Sequence, residues 1–480
     1  MSILVIDVGT SGLRAAIVRP DATIAMSQHR ELLPDTPAAG LVEFDAARMA
    51  QTALEVARAV LAEGGPVDAV GITNQRASTI VWDRATGVPV GPGIGWQDLR
   101  TVGTCLVLQA DGLHVAPNAS ATKAAFLLDE ADADRTRDLC VGTVDSWLAW
   151  HLSEGALHVT DATNAGVTGL QRGDGSDWDD RLLAALRIDR TSLPEVVDTT
   201  GVLGAATALE GAPPISALVG DQQSSLVGQG GVSRGQAKIT FGTGGMLDLH
   251  LGEDRPAFSR QGAGGCFPIV AWRREGVTAW GVEAVMLSAG TNVEWLRDDL
   301  GILATAAESH DVASRCETTD GVVYVPALLG LGTPRWDYGA RGALFGLTRG
   351  SERPQIVRAV LEGVAQRGAD LVEAAETDAG LRIPALRVDG GMTDNPTFVQ
   401  AVADATQRPV EVSPVTEATT LGAAFLAGLA VGTWGGWDDV AATWSPRAVV
   451  EPGAPLDRER WATAVDRAAA WYPELSALEF

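Results

Sequence analysis

Two glycine-punctuated hairpin patterns, one near the start of each half, constrain this chain more than any other feature. Ile3 to Val8 is an apolar run, Gly9-Thr10-Ser11-Gly12 a turn, and Leu13 to Val18 a second run. Ala237 to Phe241, Gly242-Thr243-Gly244-Gly245 and Met246 to Leu251 repeat the pattern. Short β-prone runs joined by a Gly-bearing turn predict hairpins. No helical pattern follows the first turn, whereas a P-loop runs strand, glycine-rich loop, helix. Neither G-x-x-x-x-G-K-[ST] nor G-x-G-x-x-G occurs, so Walker NTPases and Rossmann dehydrogenases lose their main sequence support. The recurrence points to two similar domains; two unrelated tight turns would give the same local pattern.

The rest of the chain alternates strand and helix signals. A helix is expected over Phe44 to Glu63, with Asp45 as its cap and Met49, Leu54, Val56, Val60 and Leu61 as the apolar stripe. Strands are expected at Val67 to Ile72, Ile80 to Asp83, Ile215 to Val219, Val322 to Pro326 and Leu386 to Val388. Helices are expected at Pro354 to Glu373, Asn395 to Thr406, Thr419 to Val431 and Leu456 to Tyr472. Such alternation is an α/β signature with sheets covered by helices. The length, 480 residues, allows two or three domains. The expected boundary lies near residue 225, giving domains 1–225 and 226–480.

Charge narrows the partners. Lys+Arg number 36 and Asp+Glu 61, a net charge of −25. That balance excludes nucleic acid and anionic membranes. Only Lys123 and Lys238 are lysines, so a substrate anion must be met by Arg, backbone amides or a metal. Cys105, Cys140, Cys266 and Cys316 form no C-x-x-C pair, which argues against a disulfide framework or zinc cage and fits a reducing cytoplasm. His151 and His158 have no metal-site spacing. Asp7 interrupts the first apolar run, which therefore reads as a strand and not a signal peptide. Leu421 to Trp437 is uncharged but falls short of the roughly 20 apolar residues that span a bilayer; it reads as a buried helix ending near Gly432.

Several strand ends carry polar side chains. Asp7 precedes the first turn, whose amides could cradle phosphate oxygens while the carboxylate holds Mg²⁺ through water; a turn-forming Asp is the plainer reading. Asp221 follows the Ile215–Val219 run, close to the domain junction. It could take a proton from a substrate hydroxyl or simply cap the helix that starts near Gln222. Thr73-Asn74-Gln75-Arg76 and Trp96-Gln97-Asp98-Leu99-Arg100 place amides, a guanidinium and an indole where a polyhydroxylated ligand could meet them. Asp389-Gly390-Gly391 would let backbone approach a flat ring closely.

In combination these segments resemble the FGGY family of carbohydrate kinases, its glycerol-kinase branch above all. The most specific local match is Gly342-Ala343-Leu344-Phe345-Gly346-Leu347 followed by Gln355-Ile356 and Ala359-Val360-Leu361-Glu362. Asp7-Val8-Gly9-Thr10, Gly71 to Arg76, Gly220-Asp221-Gln222-Gln223, Gly242-Thr243-Gly244, Trp336-Asp337, Asp389 to Met392 and Thr420 to Ala424 match in the same order.

The resemblance implies two actin-like, ribonuclease-H-type domains closing on a cleft, the first holding a sugar or polyol and the second ATP with Mg²⁺. It implies Asp221 as general base and Asp7 as the Mg²⁺ anchor. It places Thr10, Ser11, Arg14, Thr243 and Gly244 around the phosphates, and Gly290, Glu294, Gly391 and Asn395 around the nucleotide. Arg76, Ala77, Trp96, Asn118, Gln222 and Met246 would line the acceptor pocket. Transfer would be in line, with the protein positioning the reactants and neutralising charge.

Three positions depart from the glycerol-kinase pattern. Ala77 stands for Glu, Asn118 for Tyr and Met246 for Phe. Losing a buried hydrogen-bond partner costs roughly 1–3 kcal/mol, and Ala77 and Ala119 enlarge the pocket. The expected acceptor is therefore an acyclic polyol or ketose of four or five carbons. The alternatives are a glycerol kinase with a rebuilt pocket and a non-catalytic nucleotide-binding regulatory protein. The partner is a small molecule, with a homodimer left open.

Overall fold

The computed structural model describes residues 1–477, and its centre is a sheet of thirteen strands. In chain order these are β1 (Ile3–Val8), β2 (Gly12–Val18), β3 (Ile24–Glu31), β4 (Ala69–Asn74), β5 (Thr200–Ala205), β6 (Pro214–Gly220) and β7 (Ala237–Phe241). There follow β8 (Gly245–Gly252), β9 (Phe267–Arg274), β10 (Val277–Met286), β11 (Leu386–Asp389), β12 (Val410–Val412) and β13 (Ala448–Val450). Their spatial order is β13-β12-β11-β7-β8-β10-β9-β5-β6-β4-β1-β2-β3.

The two halves repeat one topology, which decides between the two readings of the turns. β1 and β2 form an antiparallel hairpin, and β4 then β6 add in parallel on the far side of β1. β7 and β8 form the second hairpin, and β11 then β12 add in parallel on the far side of β7. Both predicted hairpins are therefore real, and each sits at the same place in its half.

Helices cover both faces. α1 (Ala46–Gly64) buries Met49, Ala53, Val56 and Val60 against Leu4, Ile6, Val8, Val70 and Ile72. Asp45 caps it by accepting from the Arg48 amide. Phe44 belongs to a two-residue strand before the cap, so the helix begins two residues later than expected. The other face, with Ile3, Val5, Ala69, Ala217 and Val219, packs on α5 (Ala418–Val431). α5 is apolar on nearly every side because it is buried on nearly every side, and Gly432 ends it in a left-handed conformation. In the second half, α3 (Arg353–Ala379) and α4 (Pro396–Thr406) pack on Ile239, Phe241, Leu247, Leu249, Val282 and Ala284.

α2 (Asp221–Gly228) starts directly after β6 and crosses α5 at two glycines. A Cβ on Gly228 would lie 1.8 Å from the Ala418 carbonyl oxygen, and one on Gly422 1.8 Å from that of Ser224. The two helices touch backbone to backbone.

Some boundaries differ from the sequence expectation. The helix expected over Leu456 to Tyr472 is confined to α6 (Arg458–Ala468), because Asp337 takes the Ala470 amide and the Ser476 hydroxyl and folds the following segment back. α3 runs on to Ala379, and Gly380 stops it with φ 61°. Residue 225 lies inside α2. β3, β5, β9, β10, β12 and β13 are not among the strands expected from the sequence; β3 is an edge strand with alternating exposure.

Candidate active site

Three parallel strands end at one edge, and each hands over a charged residue. Asp7 lies near the end of β1, Arg76 follows β4, and Asp221 follows β6. The register sets Asp7 opposite Arg14 on β2 and Thr73 on β4, so these three share a face. Thr420 on α5 donates its hydroxyl to Asp7 Oδ2 at 3.1 Å. Burial pushes the Asp7 carboxyl up to about 6; the Thr420 bond and Arg14 oppose the rise, and Asp221 adds to it. Arg14 itself is ion-paired to Glu417 just before α5.

Asp221 is the first residue of α2, with Gly220 as the N-cap. Its Oδ1 accepts from the Gln222 amide at 2.8 Å, so part of the capping reading holds. Its side chain nevertheless stays 30% exposed, and Arg76 Nε approaches Oδ1 at 3.5 Å. Burial raises the proton affinity of the carboxyl, and Arg76 pulls it back down. The Arg76 side chain packs directly over Gly220, where a Cβ would lie 2.7 Å from Arg76 Cδ. The Gly220 amide donates to Thr163 Oγ1 at 2.9 Å, and the Thr163 hydroxyl in turn bonds Asp161.

Beneath α2 runs a row of charges that the sequence analysis did not anticipate. Adjacent strands set Glu411, Arg387, Lys238, Asp248 and Glu283 opposite one another. Lys238 Nζ lies 2.8 Å from Asp248 Oδ2 with both side chains fully buried. It also donates to Gln222 Oε1 at 2.8 Å and to Thr240 Oγ1 at 3.0 Å. At the end of the row Glu283 Oε2 accepts from Arg76 Nη2 at 2.7 Å. On this face Ser225 of α2 also donates to Asp389. The available signal was period two: Met246, Asp248 and His250 alternate along β8.

The expected acceptor wall is partly assembled. Trp96 Nε1 donates to Thr10 Oγ1 at 3.2 Å, which joins the indole to the first turn. Lys123 Nζ donates to the Trp96 and Asn118 carbonyls at 2.9 and 3.0 Å, so one buried ammonium ties two loops together. Ala77 is buried with φ 61°, and Met246 is half-buried. Asn118 is exposed and joins this wall through its carbonyl.

Other polar residues near Trp96 do structural work. Asp98 and Arg100 pair with each other, and Arg100 also holds Glu43. Asn74 is buried against Asn164. They are not free for a ligand as the sequence reading had them.

On the second half, Gly290 meets the second turn so closely that a Cβ would lie 2.7 Å from the Gly242 carbonyl oxygen. Gly244 is equally constrained, with the Met286 oxygen 2.8 Å from a notional Cβ. Ser11, Thr243, Glu294 and Gly391 are exposed. Gly390 is needed for its φ of 90° and its close contact with the Phe241 backbone; among the described residues nothing lies within 4 Å of a notional Cβ on Gly391. Asn395 caps α4, with Oδ1 accepting from the Phe398 amide and Nδ2 donating to Ser309.

Among the described residues no group of three or more His, Cys, Asp or Glu side chains forms a metal cage. Asp7 is the acid beside the first turn, and the buried Thr73 hydroxyl across from it has no hydrogen-bond partner among the described residues. One carboxylate with hydroxyls fits Mg²⁺, which keeps most of its water and leans on substrate phosphates.

Comparison with known proteins gives the family. Residues 2–228 match the N-terminal domain of the FGGY family of carbohydrate kinases, and residues 237–431 match its C-terminal domain. A glycerol kinase from Aromatoleum aromaticum is 40% identical over 494 residues, 98% of this chain and 99% of the relative. Another from Alkalilimnicola ehrlichii is 42% identical, again over 98% of this chain and 99% of the relative. The crystal structure of Plasmodium falciparum glycerol kinase with ADP superimposes with a TM-score of 0.91 at 28% identity, covering 100% of this chain and 99% of that one.

Proposed function

The chain belongs to the FGGY family of carbohydrate kinases, phosphotransferases with an alcohol group as acceptor and a two-domain actin-like fold, and from that premise we propose that it transfers the γ-phosphoryl group of ATP to a primary hydroxyl of glycerol. The observation that carries the reading is Asp221: a partly open carboxylate at a strand end, at the start of a helix, with its proton affinity raised by burial and Arg76 beside it. Full-length similarity to glycerol kinases favours glycerol over longer acceptors.

Asp221 orients the hydroxyl and accepts its proton as the bond to phosphorus forms. Arg76, Trp96, Gln222, Ala77, Asn118 and Met246 bound the acceptor. Thr10, Ser11, Arg14, Thr243 and Gly244 surround the phosphates, and Gly290, Glu294, Gly391 and Asn395 the nucleotide. Arg14 must exchange Glu417 for phosphate oxygens to do so. Asp7 would hold Mg²⁺ through water. When bound, the ion neutralises charge on the β- and γ-phosphates. The acceptor side is assigned to residues 1–225 and the nucleotide side to 226–480. Approach of the two excludes water, which would otherwise take the phosphoryl group. Free cysteines at all four positions accord with a reducing cytoplasm.

A second reading, a four- or five-carbon polyol or ketose, is favoured by Ala77, whose buried methyl stands where the glycerol-kinase pattern has a carboxylate. A coupled assay of ADP release over glycerol, erythritol, threitol, erythrulose, xylitol, ribulose and xylulose decides. The highest kcat/KM on glycerol supports the first reading. Preference for a longer acceptor replaces it with the second. Nucleotide binding without transfer to any of them refutes catalysis and leaves the regulatory alternative.

A further inference from the structure

Arg76 is held between two carboxylates that come from different halves of the sheet. Asp221 Oδ1 lies 3.5 Å from its Nε, and Glu283 Oε2 lies 2.7 Å from its Nη2. The tight contact is thus the one across the halves. Arginine and a carboxylate normally close into a two-point pair. Such a pair with Asp221 would occupy the oxygens a base needs. Here Glu283 competes for the guanidinium and leaves Asp221 a single long contact.

The Glu283 side chain is only 9% exposed, and a carboxylate so enclosed is costly without a cation. Lys238 is already committed to Asp248, Gln222 and Thr240, so Arg76 supplies that cation. Asp248 Oδ1 and Arg76 Nη1 are both buried without a hydrogen-bond partner among the described residues. The guanidinium therefore still has a donor to give.

On the reading that this chain is a polyol kinase, we propose that Glu283 is a positioning residue for the acceptor. It grips Arg76 by Nη2 and keeps the guanidinium turned toward the acceptor without closing on Asp221. The first half supplies the groups that touch the acceptor; the second half supplies the strut that aims one of them. The acceptor site is then complete only when the two halves are in register, which couples acceptor binding to lobe closure. The charges facing this arrangement are Asp7, Arg76 and Asp221 from the first half and Lys238, Asp248 and Glu283 from the second.

The test is a double-mutant cycle on the full-length enzyme. Glu283→Gln keeps the side-chain shape and removes the charge. It should raise the acceptor KM and the calorimetric acceptor Kd about tenfold or more, the worth of one hydrogen bond to a charged group. The KM for ATP should stay within about twofold. Glu283→Asp should recover part of the loss. In an Arg76→Met background, Glu283→Gln should shift acceptor Kd by less than about twofold, because the group it acts through is gone.

A merely structural role would lower Tm and the active fraction and leave acceptor KM unchanged, which overturns the proposal. Full additivity in the cycle overturns it as well. Should Glu283→Gln not fold, Glu283→Asp carries the measurement: a rise in acceptor KM alone supports the strut, and no rise refutes it. Wild-type protein that transfers phosphate to none of the polyols defeats the kinase reading itself, whereas an active wild type with an unaffected Glu283→Gln defeats only this inference.

Discussion

Gly422→Ala should disable transfer without touching any residue of the site. A Cβ at this position lies 1.8 Å from the Ser224 carbonyl oxygen and 2.6 Å from its carbon, whereas ordinary contact begins at 3.4 Å. The shortfall is 3.4 − 1.8, or 1.6 Å. The obstruction is helix backbone, which cannot swing aside like a side chain. α5 is pinned from behind by β1, β4 and β6. The yielding partner is therefore α2, whose first residue is Asp221, three positions before Ser224. A shift of about 1 Å in a reacting group costs on the order of a hundredfold in rate. The helix gains about 1 kcal/mol from Gly to Ala and loses about 1–3 kcal/mol to overpacking, so the fold is weakened less than catalysis. The assay is kcat by coupled ADP release beside Tm by calorimetry. Gly103→Ala is the control: it is also within a helix but has nothing within 4 Å of its notional Cβ. A Gly422→Ala enzyme with kcat within about twofold of wild type would show that α2 does not hold the base where this reasoning puts it.

Further outcomes follow from individual charges. Asp221→Asn should cut kcat by about 10²–10⁴ and leave Tm unchanged or higher, since burial penalises its charge; retained turnover removes it as the base. Because burial raises that carboxyl above the ordinary aspartate range, the basic form is lost at a higher pH than for an ordinary aspartate, and the acid limb of kcat should shift when Arg76 is replaced. Asp7 carries a folded-state value of about 6 against 3.8 for a free side chain. The folded state therefore holds the proton more tightly, and the associated stability is present at low pH and lost as pH rises through about 6. Asp7→Asn should raise the nucleotide-free Tm at pH 8 but not at pH 4, as thermal scans at both will check. Lys123→Met removes the tie between the Trp96 and Asn118 carbonyls and should raise acceptor KM about tenfold, with ATP KM unchanged; a change in ATP KM alone would contradict that placement.

The fold was legible in the sequence where local chemistry and tertiary context agree. The hairpins at Gly9–Gly12 and Gly242–Gly245 needed no partner to be read, and the Asp45 cap and the Gly432 stop act within one turn of chain. Asp7, Asp221 and Arg76 were legible as strand-end polar groups. The hydrogen-bonding run around them was over-read. Asn74, Asp98 and Arg100 look as ligand-ready as Arg76 in the sequence, and only the positions of Asn164 and Glu43 show that they are already satisfied. Glu283 was invisible for the opposite reason. Val277 to Met286 is a long apolar strand with one acid in it, and what that acid meets is decided by an arginine 207 positions earlier.

The two lysines show how a compositional extreme can be read too narrowly. Of 36 basic Lys and Arg residues two are Lys, leaving 36 − 2, or 34, Arg. Read as an exclusion, this says which groups cannot meet a phosphate on the surface. The structure gives it a positive meaning, because both lysines are fully buried beside the candidate site. Each gathers its acceptors on one nitrogen: an amide, a hydroxyl and a carboxylate for Lys238, two loop carbonyls for Lys123. An ammonium with three rotatable donors on a slim stem meets that demand, whereas a flat, five-donor guanidinium would leave buried N–H groups unpaired. Where a bidentate or stacked cation serves, as at Arg100 with Asp98 or Arg387 over Trp444, the chain uses arginine. Both lysines stand where two or three buried acceptors converge on one point, a demand that a single nitrogen meets more fully than a five-donor fork.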